Sequence, residues 1–211
     1  IGYNAPLGPG PLRQLLLGQA VRKLEVNLVP VELGHAALLP ELAAGAIDIA
    51  IVAEPPAAFD GEVAPLWTES MLAVLPDNHP LTRQQAIEWS DLALETRLQS
   101  SYGPGRPWTP HVSAHPPMAA EPEMVCHAVG IAAIIEMVAA GLGISLVPER
   151  VRAASCPGVT FRPLHLRGQA VQVTHCACWY PSGGNPAATR LVTELQRRAT
   201  AGPARLRGAA A

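Results

Sequence analysis

The chain reads as an α/β protein of two similar lobes around a cleft, and three observations lead there. A helix-Gly-strand phrase occurs twice, at Glu41 to Val52 and at Met137 to Pro148, and the two copies start 96 residues apart, about half of the 211-residue chain. Each copy reads as a helix end, a stop at Gly45 or Gly141, and a short buried strand. Glycine suits the left-handed turn after a helix because it has no Cβ. The apolar runs that follow suit parallel strands covered on both faces. The third observation is the β-α-β-α-β order of the first fifty residues, which implies a parallel sheet with right-handed crossovers.

Ile1-Gly-Tyr is the tail of a first strand, followed by a Gly/Pro-rich turn from Asn4 to Pro11. A helix is expected over about 9–24, with Pro11 in its first turn, where the missing N–H costs nothing. Residues 25–33 alternate as a second strand, 35–44 form a short helix and 47–52 the third strand. A linking strand over 62–75 ends at the turn Pro76-Asp-Asn-His-Pro80, read as the first passage between lobes. Ser90-Asp-Leu-Ala93 is expected to cap a short helix, and 96–100 to form a strand. Residues 101–122 hold six prolines and read as loop, with at most one helical turn after Pro110. Strands follow at 123–129, 144–147 and 159–164, with a helix at 131–140. A second crossing strand is placed at 171–180 and a closing amphipathic helix at 186–198, ahead of a Gly/Ala/Arg-rich tail.

Composition excludes several classes. A formal net charge of −2 gives no basic surface for nucleic acid. The apolar stretch 129–147 contains Glu136, Gly130, Gly141 and Gly143, so it reads as helix plus core strand and not as a membrane span. Cys126, Cys156, Cys176 and Cys178 match no zinc or disulfide spacing. Cys176 and Cys178 share one strand face, opposite His175, and read as core residues, with a redox pair as the alternative. His111 and His115 would share a helical face but lack an acidic neighbour, so no metal site and no cofactor is expected. The chain begins at Ile1 without Met and is read as a fragment or processed product.

Six segments, in order, resemble the effector-binding domain of LysR-type transcriptional regulators. They are Ile1-Gly-Tyr3, Leu38 to Val52 with Asp48, Pro65 to Leu81, Ser90 to Ala93, Val138 to Pro148, and Arg162-Pro-Leu164. The resemblance implies a type 2 periplasmic-binding-protein-like fold, two Rossmann-like lobes joined by two crossing strands. Lobe I would be residues 1–75 and 170–211, and lobe II 76–169. It also implies a cytoplasmic, non-enzymatic sensor acting as a homodimer or homotetramer. In the dimer, residues 9–33 of one chain would face 131–141 of the other. Operator DNA would be bound only through a winged helix-turn-helix domain outside this chain.

In open α/β sheets the ligand sits beyond the C-terminal strand ends, near helix N-termini. In lobe I that points to Asn4, Ala5, Pro6 and Leu7 after the first strand, and to Ala53 and Glu54 after the third. In lobe II it points to Gln99, Ser100 and Ser101, with His127 bordering the turn before the long helix. That helix begins Ile131, Ala132, Ala133, where similar regulators often carry a Ser, Thr, Asn or Gln, so a more apolar pocket or a bulkier ligand is expected. Two helix N-termini at one cleft suggest a small molecule with a carboxylate. Trp108 and Tyr102 in the proline-rich stretch could form a lid, or the stretch could be a plain exposed loop. Two other readings share the fold: a solute-binding protein of a transporter, and a dehydratase-like enzyme. Glu54 and His127 are the nearest acid-base candidates for the latter, and neither has an evident orienting partner.

Overall fold

A computed structural model describes residues 1–4, 13, 26–54, 58–101, 123–154, 156–181 and 185–200. The expected helix over 9–24, residue 13 apart, and the proline-rich stretch 102–122, with Tyr102, Trp108, His111 and His115, lie outside the described residues.

The first strand set contains β1 (Gly2–Tyr3), β2 (Val31–Glu32) and β3 (Ala50–Ala53), with α1 (His35–Ala43) between the last two. β1 lies between β2 and β3 and is parallel to both. The second set contains β6 (Arg97–Ser100), β7 (Met124–His127) and β8 (Ser145–Pro148), with α2 (Ile131–Ala139) between β7 and β8. β6 is parallel to β7 and meets the start of β8 through a parallel bridge, Arg97 to Ile144. Both sets thus place the first strand between the second and third, the order of a doubly wound sheet.

Two long strands join them. β4 (Glu62–Pro76) pairs antiparallel with β11 (Gln172–Trp179) from Glu62 to Ser70. From Met71 onward it pairs with β8 and with β9 (Val159–Leu166). β11 in turn pairs with β3. Short strands β5 (Ile87–Glu88) and β10 (Gln169–Ala170) extend the sheet beside β9. A register shift interrupts the β4–β11 ladder: His175 faces Trp67 while Cys176 faces Pro65, so Leu66 is the extra residue of a bulge. Pro65 has no N–H to give, which suits it to such a break.

Strict alternation explains why the apolar runs carry no polar face. Ile49, Ile51, Ala177 and Trp179 pack beneath the closing helix α3 (Pro186–Thr200) with Leu191 and Leu195. Ala50, Val52, Cys176 and Cys178 point the other way, against Leu38 and Leu42 of α1. β4 repeats the pattern further along, with Leu72 and Val74 on Ile134, Ile135 and Val138 of α2, and Met71, Ala73 and Leu75 on Ile87, Trp89 and Leu92. Each Val, Leu, Ile or Met among them, fully enclosed, contributes about 1.5–3 kcal/mol.

The repeated glycines have the geometry their sequence context calls for. Gly45 and Gly141 have φ of 72° and 80°. In both turns the glycine N–H and the next N–H return to the helix end: Gly45 to Leu42 and Ala46 to Glu41, Gly141 to Val138 and Leu142 to Met137. These are two Schellman motifs, which satisfy the orphan carbonyls of the last turn.

Several elements depart from expectation. The second strand falls at Val31–Glu32 and not over 25–33, its residues paired with Gly2 and Tyr3 just after Pro30, which has no N–H to give. The third strand falls at Ala50–Ala53, later than 47–52, set by its pairing with β1 and β11. Ser90 is not a cap: a 3-10 turn spans Trp89–Leu92, and Glu88 and Asp91 form a reciprocal capping box.

Candidate functional site

Asn4 follows β1 and is half-buried; its Nδ2 donates to the Leu33 carbonyl at 2.8 Å, tying the ends of β1 and β2 together. Ala5, Pro6 and Leu7 lie outside the described residues. Ala53 ends β3 opposite His175. Glu54 follows it with φ of 66°, its N–H donating to the Thr174 carbonyl at 2.6 Å. A non-glycine residue in this left-handed conformation costs energy and persists only where surroundings hold it.

The other candidates are brought together by the β6–β7 pairing. Gln99 faces Cys126, and Ser100 faces His127, the last residue of β7. Ser100 Oγ donates to the Val129 carbonyl at 2.6 Å, and the Ser101 N–H donates to the His127 carbonyl at 2.8 Å. Gly130 then caps α2 without any side-chain hydrogen bond and with no acidic residue in the first turn. Ala132 is exposed, Ile131 and Ala133 half-buried, so this helix start offers backbone N–H groups with small apolar side chains around them.

The structure adds a cluster on the crossing strands. Glu69 Oε1 accepts from Arg150 Nη1 at 2.8 Å and lies 2.6 Å from His175 Nε2. Its Oε2 accepts the Arg150 backbone N–H at 3.1 Å. The imidazole stacks on the Trp67 indole, centroids 5.0 Å apart and planes at 20°, and the indole Nε1 points at Glu69 Oε1 at 3.5 Å. The Arg150 guanidinium also lies 6.0 Å from the Trp67 ring. The bulge beside His175 sets these side chains against one another.

The protonation pattern follows from this geometry. Burial alone would raise the Glu69 carboxyl, but the hydrogen bond from His175 and the charges around it hold its pKa below the ordinary value. With Glu69 ionised, His175 Nε2 must carry a proton to approach it so closely. Burial pushes the His175 pKa down, and the Arg150 charge adds to this against the pull of Glu69. The imidazole is therefore neutral, and Arg150 and His175, 3.4 Å apart, both donate to Glu69 and not to each other. Next to them Thr68 Oγ1 and Thr174 Oγ1 hydrogen-bond at 3.0 Å on an exposed part of the two strands.

None of these clustered residues is among the site residues expected from sequence. Glu69 and His175 were visible, as a charged residue inside an apolar strand and a histidine beside two core cysteines, but their partnership depends on strand register. The thiols of Cys176 and Cys178 are buried in the core, and burial raises both, Cys178 to about 12. Groups held as neutral thiols are poor nucleophiles, which favours the reading of both as core residues. Among the described residues no group of three or more His, Cys, Asp or Glu could hold a metal ion. Among those residues, too, no helix is long and apolar enough to cross a membrane.

Two strand sets of the same order, joined by two long strands, define a type 2 periplasmic-binding-protein-like binding domain. The chain belongs to the LysR substrate binding domain family, whose model matches residues 1–200. It is similar to the reduced form of the OxyR regulatory domain from Pseudomonas aeruginosa, at 24% identity and a TM-score of 0.72, covering 93% of this chain and 95% of that one. It is also similar to the effector binding domain of QuiR in complex with shikimate, at 18% identity, a TM-score of 0.74, and 95% and 96% coverage. The BenM effector binding domain with benzoate gives 19%, 0.72, and 93% and 90%. A comparison with curated protein sequences finds no match.

Proposed function

We propose that this domain senses a small-molecule effector in a cleft between two lobes and passes its occupancy to a DNA-bound regulator. The observation that carries this reading is the duplicated strand order with a shared long strand, β4, which exchanges β11 for β8 and β9 at Ser70–Met71. Such strands let two lobes change their angle while each keeps its core. We take residues 1–75 and 170–211 as lobe I and 76–169 as lobe II, with the transition itself within β4. The effector-facing groups are Asn4, Glu54, Gln99, Ser100, Ser101, His127 and the start of α2, with Ala53 on the lobe I side. The QuiR and BenM domains hold shikimate and benzoate, which supports a carboxylate-bearing effector here too. The chain acts as a cytoplasmic homodimer or homotetramer, without catalysis, and meets operator DNA through a separate helix-turn-helix domain. A ligand changes such an assembly only through different affinities for its states.

A thermal-shift screen of small carboxylates, amines and neutral sugars, followed by gel filtration with and without any stabiliser, tests the reading. A carboxylate that raises Tm and alters the dimer or tetramer supports it. Stabilisation by amines or neutral sugars alone contradicts the carboxylate class, and no stabiliser at all, or a strict monomer at high concentration, contradicts the sensing reading.

A further inference from the structure

Arg150 spends only part of its guanidinium on the protein. Its backbone N–H and Nη1 both go to Glu69, while Nε is enclosed and meets no acceptor among the described residues. An enclosed N–H without a partner has lost its water and gained nothing in return, so an acceptor that reaches it binds at an advantage. The Nε–Nη2 edge of a guanidinium is the planar fork that a carboxylate fits with two parallel hydrogen bonds. Glu69 occupies the Nη1 side, leaving that second fork to another anion.

The position is as informative as the chemistry. Arg150 stands two residues beyond Pro148, at the C-terminal end of β8, where a doubly wound sheet places its ligands. Through Glu69 it grips β4, and through the shared carboxylate it is linked to His175 on β11. A group bound to Arg150 therefore acts on both crossing strands at once. Its side chain remains 14% exposed, so the cation is not sealed from solvent.

We propose that Arg150 anchors the effector, binding a small-molecule carboxylate through its Nε–Nη2 edge at the floor of the cleft. This rests on the effector-sensing reading above and names the ligand class and the residue that selects it. Because Nε is enclosed in the present arrangement, the carboxylate reaches it only as the Arg150 side chain or the lobes shift. The same guanidinium then divides its donors between Glu69 and the ligand, which couples occupancy to the strands that set the lobe angle.

The test is calorimetric titration and thermal shift of the whole chain with acetate, benzoate, shikimate and inorganic phosphate, with benzamide as the uncharged counterpart of benzoate. At least one carboxylate should bind the native chain, and benzamide should not. Arg150→Lys keeps a cation for Glu69 but removes the fork; it should fold with a similar Tm and bind the carboxylate at least tenfold more weakly. If that variant is unstable, the paired change Glu69→Gln with Arg150→Gln removes both charges together and should show the same loss. Unchanged carboxylate affinity in these variants overturns the anchor while leaving an effector cleft elsewhere in place. Equal binding of benzamide or phosphate, or no binding by any of the three carboxylates, overturns the ligand class; stabilisation by neutral or cationic compounds would then keep the sensing reading alive alone.

Discussion

Glu69 accepts from the side chains of Arg150, His175 and, at 3.5 Å, Trp67, and from one backbone N–H, while almost enclosed, so its neighbours stand or fall with it. Removing one partner of a buried ion pair leaves an uncompensated charge and typically costs about 3–5 kcal/mol. Arg150→Met should therefore destabilise the chain by about that amount in chemical denaturation, and adding Glu69→Gln to it should recover part of the loss. The same cluster sets a pH dependence. The folded pKa of His175 is depressed, so below the unfolded value of about 6.5 the unfolded chain binds protons that the folded chain refuses. Stability conferred by neutral His175 is thus present above about pH 6.5 and declines as pH falls from there. Glu69, also depressed, adds a loss in the same direction at more acid pH, below its ordinary carboxyl range. Tm measured from pH 8 to pH 5 should fall, and His175→Gln, which keeps a donor for Glu69, should flatten the upper part of that fall. An equal slope in the variant would show that other groups carry it. Glycines divide in a similar way. A Cβ on Gly141 meets nothing within 4 Å, whereas one on Gly143 would stand 2.5 Å from the Thr96 carbonyl oxygen. Gly141→Ala should cost only the left-handed strain, about 1–2 kcal/mol, and Gly143→Ala distinctly more.

The elements show which parts of this fold can be read from a sequence and which cannot. The Gly45 and Gly141 turns, the two-sided burial of β3 and the run from Ile131 to Pro148 were legible because each depends on neighbours in the chain. The short β2 was not, since its extent depends on pairing with Gly2 and Tyr3, about thirty residues away. Nor was the hinge cluster: Glu69 and Arg150 are 81 residues apart in sequence, Arg150 and His175 25. Only the antiparallel register of β4 with β11, shifted by one at the bulge, sets Trp67 and Glu69 against His175. Of the candidate site, the strand-end residues follow from a topological rule, while the Glu69 cluster depends on the register of distant strands. The cysteines give an element-level check. Cys126 on β7 is exposed, whereas Cys176 and Cys178 face α1 within the sheet. Under native conditions a thiol reagent should label Cys126 well before either strand cysteine, and fast native labelling of Cys178 would contradict the packing of β11.

At the level of the molecule, each strand set packs its own helix, α1 or α2, and the two sets share β4. On the proposed reading, a ligand between them needs little from either core and acts chiefly through β4, β11 and the residues at their bulge. That arrangement suits a sensor, whose output is a change of angle and of assembly, better than a catalyst, which needs an acid or base oriented on a substrate. The most direct measurement is backbone amide chemical-shift mapping of the chain titrated with whichever carboxylate stabilises it. Perturbations should gather on Asn4, Glu54, Ser100 to Ser101, His127 to Ala133 and the hinge residues Trp67, Glu69, Arg150 and His175. Perturbations confined to the outer face of α3 or to the β9–β10 hairpin, with the hinge silent, would contradict a cleft that reports through its crossing strands.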